Sequence, residues 1–356
     1  MTSANEKIRD ANIRHYVNLT RYDASVRQKV LSRLRGLEKE LVGLIAKSGY
    51  DNDGLEKLQT KRYKQFLAEV KTSISSTYTD IRNLNAVEMR NLAEVEGQFA
   101  VNSINRVLGV KDAVPMLSKS QLNAVVSGTL IQGTPLTELW NRQERFITER
   151  FSDTVRQGLL LGRTNDEIIR SVRGTKAMSF KDGIFETTRQ RASTLIRTEI
   201  QGVANNARTA TYKENADIVE GVVFSVTFDN RTSDICMARS GLEWTLDGEP
   251  IGHDVAFEAP PLHPNCRSAL IPIVKSFKDL GINKAEIPKG TRATIDGQIP
   301  ADMKFDDWLK TKSDKFQNEL LGTGKAELFR SGKIGTRDLI NNDGNPMTLE
   351  QLRRTI

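Results

Sequence analysis

The chain has 356 residues and a mass of 39.9 kDa, room for two or three domains with sizeable cores. Its 38% hydrophobic and 27% charged residues are an ordinary globular composition, and no apolar run is long enough for a membrane-spanning helix. Two cysteines, Cys236 and Cys266, exclude a disulfide-stapled scaffold. With 52 basic against 45 acidic residues, the net charge of +7 tolerates a polyanion without identifying a nucleic-acid binder.

Residues 1–7 contain no apolar core, so no secretory signal is expected. Leu31, Leu34, Leu37, Leu41 and Leu44 recur at three- and four-residue steps among charged residues, which predicts an amphipathic helix. Turn residues 48–54 break it. A second periodic stretch spans about 55–110 and includes Phe66, Val70, Ile74, Ile81, Leu84 and Leu92. Residues 1–110 hold 18 Lys and Arg against 13 Asp and Glu and read as a helical hairpin or arm. Its charges either simply face water or serve an arm that packs on a partner helix bundle or lies near DNA.

Residues 111–184 form a helical block that begins with a linker, 111–120, around Pro115. A helix is expected over 136–161, with Pro135 at its start, Leu139, Trp140, Phe146, Ile147, Phe151 and Val155 on its apolar side, and Gly162 just past its end. Thr164-Asn165-Asp166-Glu167 is a capping box that opens a short helix closed by Gly174. Another helix, about 186–215, carries Arg191, Arg197, Glu199, Asn205 and Asn206.

The period changes after Gly221, where β-branched and aromatic residues predict a strand over 222–228. Residues 229–272 are dense in Gly, Pro and Asp, with strand-like pieces near 242–246 and 268–273. Residues 275–300 read as loop, and 305–356 as a polar tail with two or three short helices around Trp308, Phe316, Leu320, Leu328 and Leu349. The expected fold class is α+β. A mainly helical N-terminal two-thirds precedes a small turn-rich α+β module at 185–275 and a loop-rich, extended helical tail at 276–356.

Both cysteines and two of the three histidines, His253 and His263, fall between positions 236 and 266. His263-Pro264-Asn265-Cys266 has the two-residue gap of a metal knuckle, and Cys236 offers a third ligand. The fourth position is open to His253 or to an oxygen from Asp229, Asp234 or Asp254. The alternative is that the cysteines are small buried hydrophobes and His263 bonds to backbone. The cofactor expectation is therefore either none or one structural zinc.

Arg197-Thr198-Glu199, the strand end Asp229-Asn230-Arg231-Thr232, Cys236, Gly241 and the string Pro260-Pro261-Leu262-His263-Pro264-Asn265-Cys266-Arg267 together resemble the Mu F-type phage minor head proteins, or head morphogenesis proteins. The likeness is most specific over 185–275 and extends more loosely through the helical block before it. The tail pieces Phe305-Asp306-Asp307-Trp308-Leu309, Phe316-Gln317, Leu321-Gly322 and Leu328-Phe329 also look like sequences that follow this module. Members commonly carry two further cysteines at the positions held here by Ser233 and Ser268.

The resemblance implies a minor structural protein, not an enzyme, bound inside the capsid at the portal vertex. It would act in head morphogenesis and DNA packaging, with ejection alongside the genome as a further possibility. The implied partners are the portal protein, the major capsid or scaffolding protein and packaged DNA without sequence preference, with no membrane during assembly. Its location would be the virion, after assembly in the host cytoplasm.

Arg197 and Glu199 are two apart on a helix and do not face one another, so each needs another partner. Arg197 with Asp229, or Glu199 with Arg231 or Arg267, would make a polar lock holding the knuckle against the helix. The enzymatic alternatives are a zinc-dependent nuclease and an ADP-ribosyltransferase-like enzyme. Neither finds a second catalytic constellation here, and phosphate-loop, nucleophile-elbow and His-Glu-x-x-His signatures are missing.

Overall fold

The expected apolar periodicity produces two very long helices, α1 (Ala4–Lys47) and α2 (Lys61–Leu108). The structure is a computed structural model that describes residues 4–48, 61–109, 114–283, 291–294, 297–300 and 303–356. It follows the α+β class: 64% of the described residues are helical, with a few small antiparallel sheets. The turn expected at 48–54 and the start of the second periodic stretch fall largely outside the described residues.

The chain divides into two compact units that do not follow consecutive segments. One comprises Thr20–Asn91 and Gly133–Ile200; the other comprises Met1–Leu19, Leu92–Gln132 and Gln201–Ile356. Helices α1, α2 and the later helix α6 (Ile184–Glu214) each contribute to both units.

The first unit is helical except for a two-residue strand, β2 (Thr134–Pro135). On α1 its buried stripe is Val26, Val30, Leu34, Leu37, Leu41 and Ile45, so Leu31 and Leu44 flank the stripe instead of lying in it. On α2 the stripe is Tyr63, Phe66, Val70, Ile74, Tyr78 and Ile81. Helix α4 (Leu136–Leu160) adds Trp140, Ile147, Phe151 and Val155. Leu161 caps it, and Gly162 follows in the left-handed region at φ 65°. Helix α5 (Asn165–Arg173) opens on the expected capping box: Thr164 N donates to Glu167 Oε2 at 2.8 Å and Glu167 N donates to Thr164 Oγ1 at 3.3 Å.

The second unit contains α3 (Lys119–Gly128), the two-residue strand β1 (Leu130–Ile131) and a four-stranded antiparallel sheet. The sheet order is β5 (Pro250–Ile251), β4 (Glu243–Thr245), β3 (Val219–Ser225), β6 (Ala269–Val274). The central strand lies three residues earlier than the expected 222–228. Its pairing ends where Ser225 meets Ala269, and Phe228 leaves the sheet to pack at 4.7 Å from the Phe305 ring and 5.3 Å from Trp308.

Those two aromatics sit on α8 (Phe305–Lys310), which is followed by α9 (Asp314–Leu321), α10 (Thr323–Arg330) and α11 (Leu349–Thr355). Tail residues Trp308, Leu309, Phe329, Leu339 and Leu352 join one apolar cluster with Val222, Phe224, Trp244 and Cys236. The tail's large side chains thus complete the module's own core. The stretch read as loop also contains a hairpin, β7 (Thr291–Thr294) with β8 (Gly297–Pro300).

Candidate metal centre and its polar supports

Short helix α7 (Asp234–Arg239) follows β3 and aims Cys236 inward, where it is buried. The opposing wall is the turn His263–Cys266, in which Cys266 N donates to His263 O at 3.1 Å and Asn265 takes φ 59°. Asparagine tolerates that left-handed position better than most side chains, and the turn puts His263 and Cys266 on one side. Helix α6 holds the turn's exit. Gln201 Nε2 and Asn205 Nδ2 donate to Ser268 O at 2.6 and 3.1 Å, and Asn205 Oδ1 accepts from Leu270 N at 3.1 Å.

The structure brings Cys236, His263 and Cys266 together, with all three ligand atoms within 4.8 Å of one another. Cys236 Sγ lies 3.8 Å from Cys266 Sγ and 3.4 Å from His263 Nε2, and both cysteines are free thiols. A tetrahedral zinc with Zn–S of ~2.3 Å and Zn–N of ~2.0 Å has sulfur–sulfur edges of ~3.8 Å and sulfur–nitrogen edges of ~3.5 Å. The two edges from Cys236 and the donor set therefore fit zinc. The two serines at the family's further cysteine positions also reach this point. Ser233 Oγ lies 2.9 Å from His263 Nε2, and the Ser233 and Ser268 hydroxyls both act to lower the Cys236 thiol. Hydroxyls are poor zinc donors beside thiolates, so the protein's own set is three.

The cluster's electrostatics are set internally. A hydrogen bond from the Cys236 thiol, with further ones from His263 and the backbone of Ser268 and Leu262, outweighs burial and lowers the Cys266 thiol well below its ordinary range. The same Cys266 sulfur raises the His263 imidazole against its burial. Cys236 is pushed up, first by its bond to Cys266 and then by burial.

None of the expected fourth ligands joins the cluster. His253 uses both ring nitrogens elsewhere: Nε2 lies 2.8 Å from Glu243 O, and Nδ1 accepts from Val255 N at 3.1 Å. Asp234 pairs with Lys325 at 2.6 Å and Asp254 with Arg337 at 3.3 Å. Asp229 is gripped by both Arg267 terminal nitrogens, at 2.6 and 2.7 Å, and by Arg231 N at 3.0 Å. Burial works against the Asp229 charge, but these bonds hold its carboxyl below the usual range.

The polar lock thus forms from Asp229, Arg267 and Arg231, while Arg197 and Glu199 have other partners. Arg197 Nε faces Asp23 on α1 at 3.6 Å. Glu199 is fully buried and accepts from Asn85 Nδ2 at 3.0 Å and Trp140 Nε1 at 3.2 Å. Burial raises its carboxyl to about 8, against those two bonds. Held in those two bonds, Glu199 does not pair with Arg231 or Arg267.

Sequence reasoning gave no role to Gln201, Asn205, Asn85 or Glu96. The available signal was polarity at a position where the period calls for an apolar residue: Asn85 falls between Ile81 and Met89. Glu96 falls likewise between Leu92 and Ala100, and it lies 2.7 Å from His15 Nε2 and 2.5 Å from Arg208 Nε.

No curated protein and no solved structure matches the chain. Residues 149–271, which contain Arg197, Glu199, the Asp229–Arg267 pair and the whole Cys–His cluster, match the family model described as phage Mu protein F like protein. The resemblance read from the sequence is therefore borne out: the match over this region supports the Mu F-type phage head protein family.

Proposed function

We propose that this chain is a minor structural protein of a tailed-phage head, bound inside the capsid at the portal vertex during assembly. It acts in head morphogenesis and DNA packaging, and it leaves with the genome. The observation that carries this reading is the Mu F-like match over 149–271. Gln201 and Asn205 of that region support it, because they hold residues 268–270 to α6, a structural use of polar side chains. We assign the chain no reaction.

The partners are the portal protein and then the major capsid or scaffolding protein. Packaged DNA is met through dispersed lysines and arginines, for which the +7 charge is suited. Cys236, His263 and Cys266 hold one structural zinc, which would tie the turn after β3 to the 260–268 turn. The test is co-expression of the full-length chain with the portal protein of the same phage, followed by sedimentation. Comigration with portal rings supports the reading. A chain that stays free while the portal forms normal rings refutes it.

A further inference from the structure

The loop between α5 and α6 is built to present two apolar side chains. Thr175 N and Oγ1 donate to Asp182 Oδ1 and Oδ2, both at 2.8 Å, and close its base. Within it Phe180 N donates to Thr175 O at 2.8 Å and Lys181 N to Met178 O at 3.1 Å. The ends approach so closely that a Cβ on Gly183 would lie 2.3 Å from the Arg173 carbonyl carbon. This fixed frame exposes Met178 at 58% and Phe180 at 50%. Ser179 and Phe180 occupy the left-handed region at φ 50° and 62°, a conformation that L side chains adopt at a cost. A bulky phenylalanine held there and left half in water is not explained by its own unit's packing.

The geometry points to a preformed docking knob. Met178 and Phe180 insert into a pocket of a partner protein that has an apolar floor and an acidic rim. The rim follows from charge: Lys176 and Lys181 flank the knob, have no ion-pair partner among the described residues, and the loop's one carboxylate, Asp182, is turned onto Thr175. A fixed backbone shape favours a pocket of matching shape, since little ordering remains to be done on binding. DNA would call for more cations than two, and a bilayer for more apolar area and no fixed shape.

This inference rests on the head-assembly reading, so the partner tested is the portal protein. Purified full-length chain is sedimented with assembled portal rings in four forms: wild type, Phe180→Gly, Met178→Ser and the control Val95→Ser, an equally exposed apolar residue on α2. Glycine suits φ 62°, so Phe180→Gly should melt no lower than wild type while binding ~30-fold more weakly, the loss typical of an aromatic anchor. Met178→Ser should weaken binding ~10-fold and Val95→Ser should not change it. Wild-type affinity in Phe180→Gly overturns the knob alone. A lower melting temperature in that variant shows instead that the ring is structural. Wild-type binding to phosphatidylserine vesicles or duplex DNA, lost in Phe180→Gly and unmatched by the rings, reassigns the loop and also overturns the proposal. Failure of the wild type itself to sediment with rings removes the head-assembly reading and the knob together.

Discussion

Glu199→Gln should stabilise the chain at pH 8 and make little difference at pH 5. The reason lies where α2, α4 and α6 meet. Asn85 and Trp140 both donate to Glu199 Oε2, while Glu199 Oε1 and Asn85 Oδ1 have no partner among the described residues. A protonated carboxyl supplies the hydrogen that this pair of oxygens lacks, and a carboxylate would not. Burial raises the folded group to about 8 from an ordinary 4.5. Between those values the folded chain keeps a proton that the unfolded chain has released. Stability from this group is therefore complete at acid pH, falls as pH rises through the window, and is flat above it. At ~1.4 kcal/mol per unit, the loss between pH 5 and pH 8 is about 3 kcal/mol. Glutamine keeps an acceptor for both donors and cannot ionise, so it removes the slope. The assay is urea unfolding of wild type and Glu199→Gln at the two pH values, with Glu199→Ala as a variant that loses the acceptor and is destabilised at both. Parallel pH dependence in wild type and Glu199→Gln would mean that Glu199 is already ionised in the folded chain, and the reasoning fails.

Chelator-free protein should carry about one zinc per chain, and Cys266→Ser should lose it and melt lower; no zinc and unchanged melting of Cys266→Ser would leave only a packed turn. Gly344→Ala should cost at least ~2 kcal/mol of stability in thermal or urea unfolding, because Gly344 sits at φ 84° and a Cβ there would lie 2.0 Å from Nη2 of the buried Arg239. An unchanged melting temperature would show that Arg239 can move aside. DNA binding should be weak, indifferent to sequence and largely lost between 50 and ~200 mM salt, as measured by fluorescence anisotropy; sequence-selective binding that persists at high salt contradicts a structural role.

What was legible in the sequence divides along the range of the forces involved. Features fixed within a few residues could be read directly. The capping box at Thr164–Glu167 is one, because its two hydrogen bonds depend only on spacing. The His263–Cys266 knuckle is another, since its turn closes on itself and Cys236 lies one strand end away. The strand near Val222 was found but misplaced, because alternation marks a half-buried chain while the pairing limit is set by β6. Phe228 extends the β-like pattern, yet its ring is claimed by Phe305 and Trp308, more than seventy positions away.

The same distinction explains the polar lock. Arg267, Arg231 and Asp229 were identified as members, but charge type cannot choose among partners when several cations and carboxylates are available. Desolvation makes that choice. Asp229 is buried beside a guanidinium that can bond both of its oxygens, so it stays charged. Glu199 is buried deeper, beside an amide and an indole, where no cation compensates it and neutrality costs less than ionisation. Two carboxyl groups that look alike in the sequence therefore do opposite things: one pins the knuckle strand as an anion, and the other fills a gap among three helices as an acid.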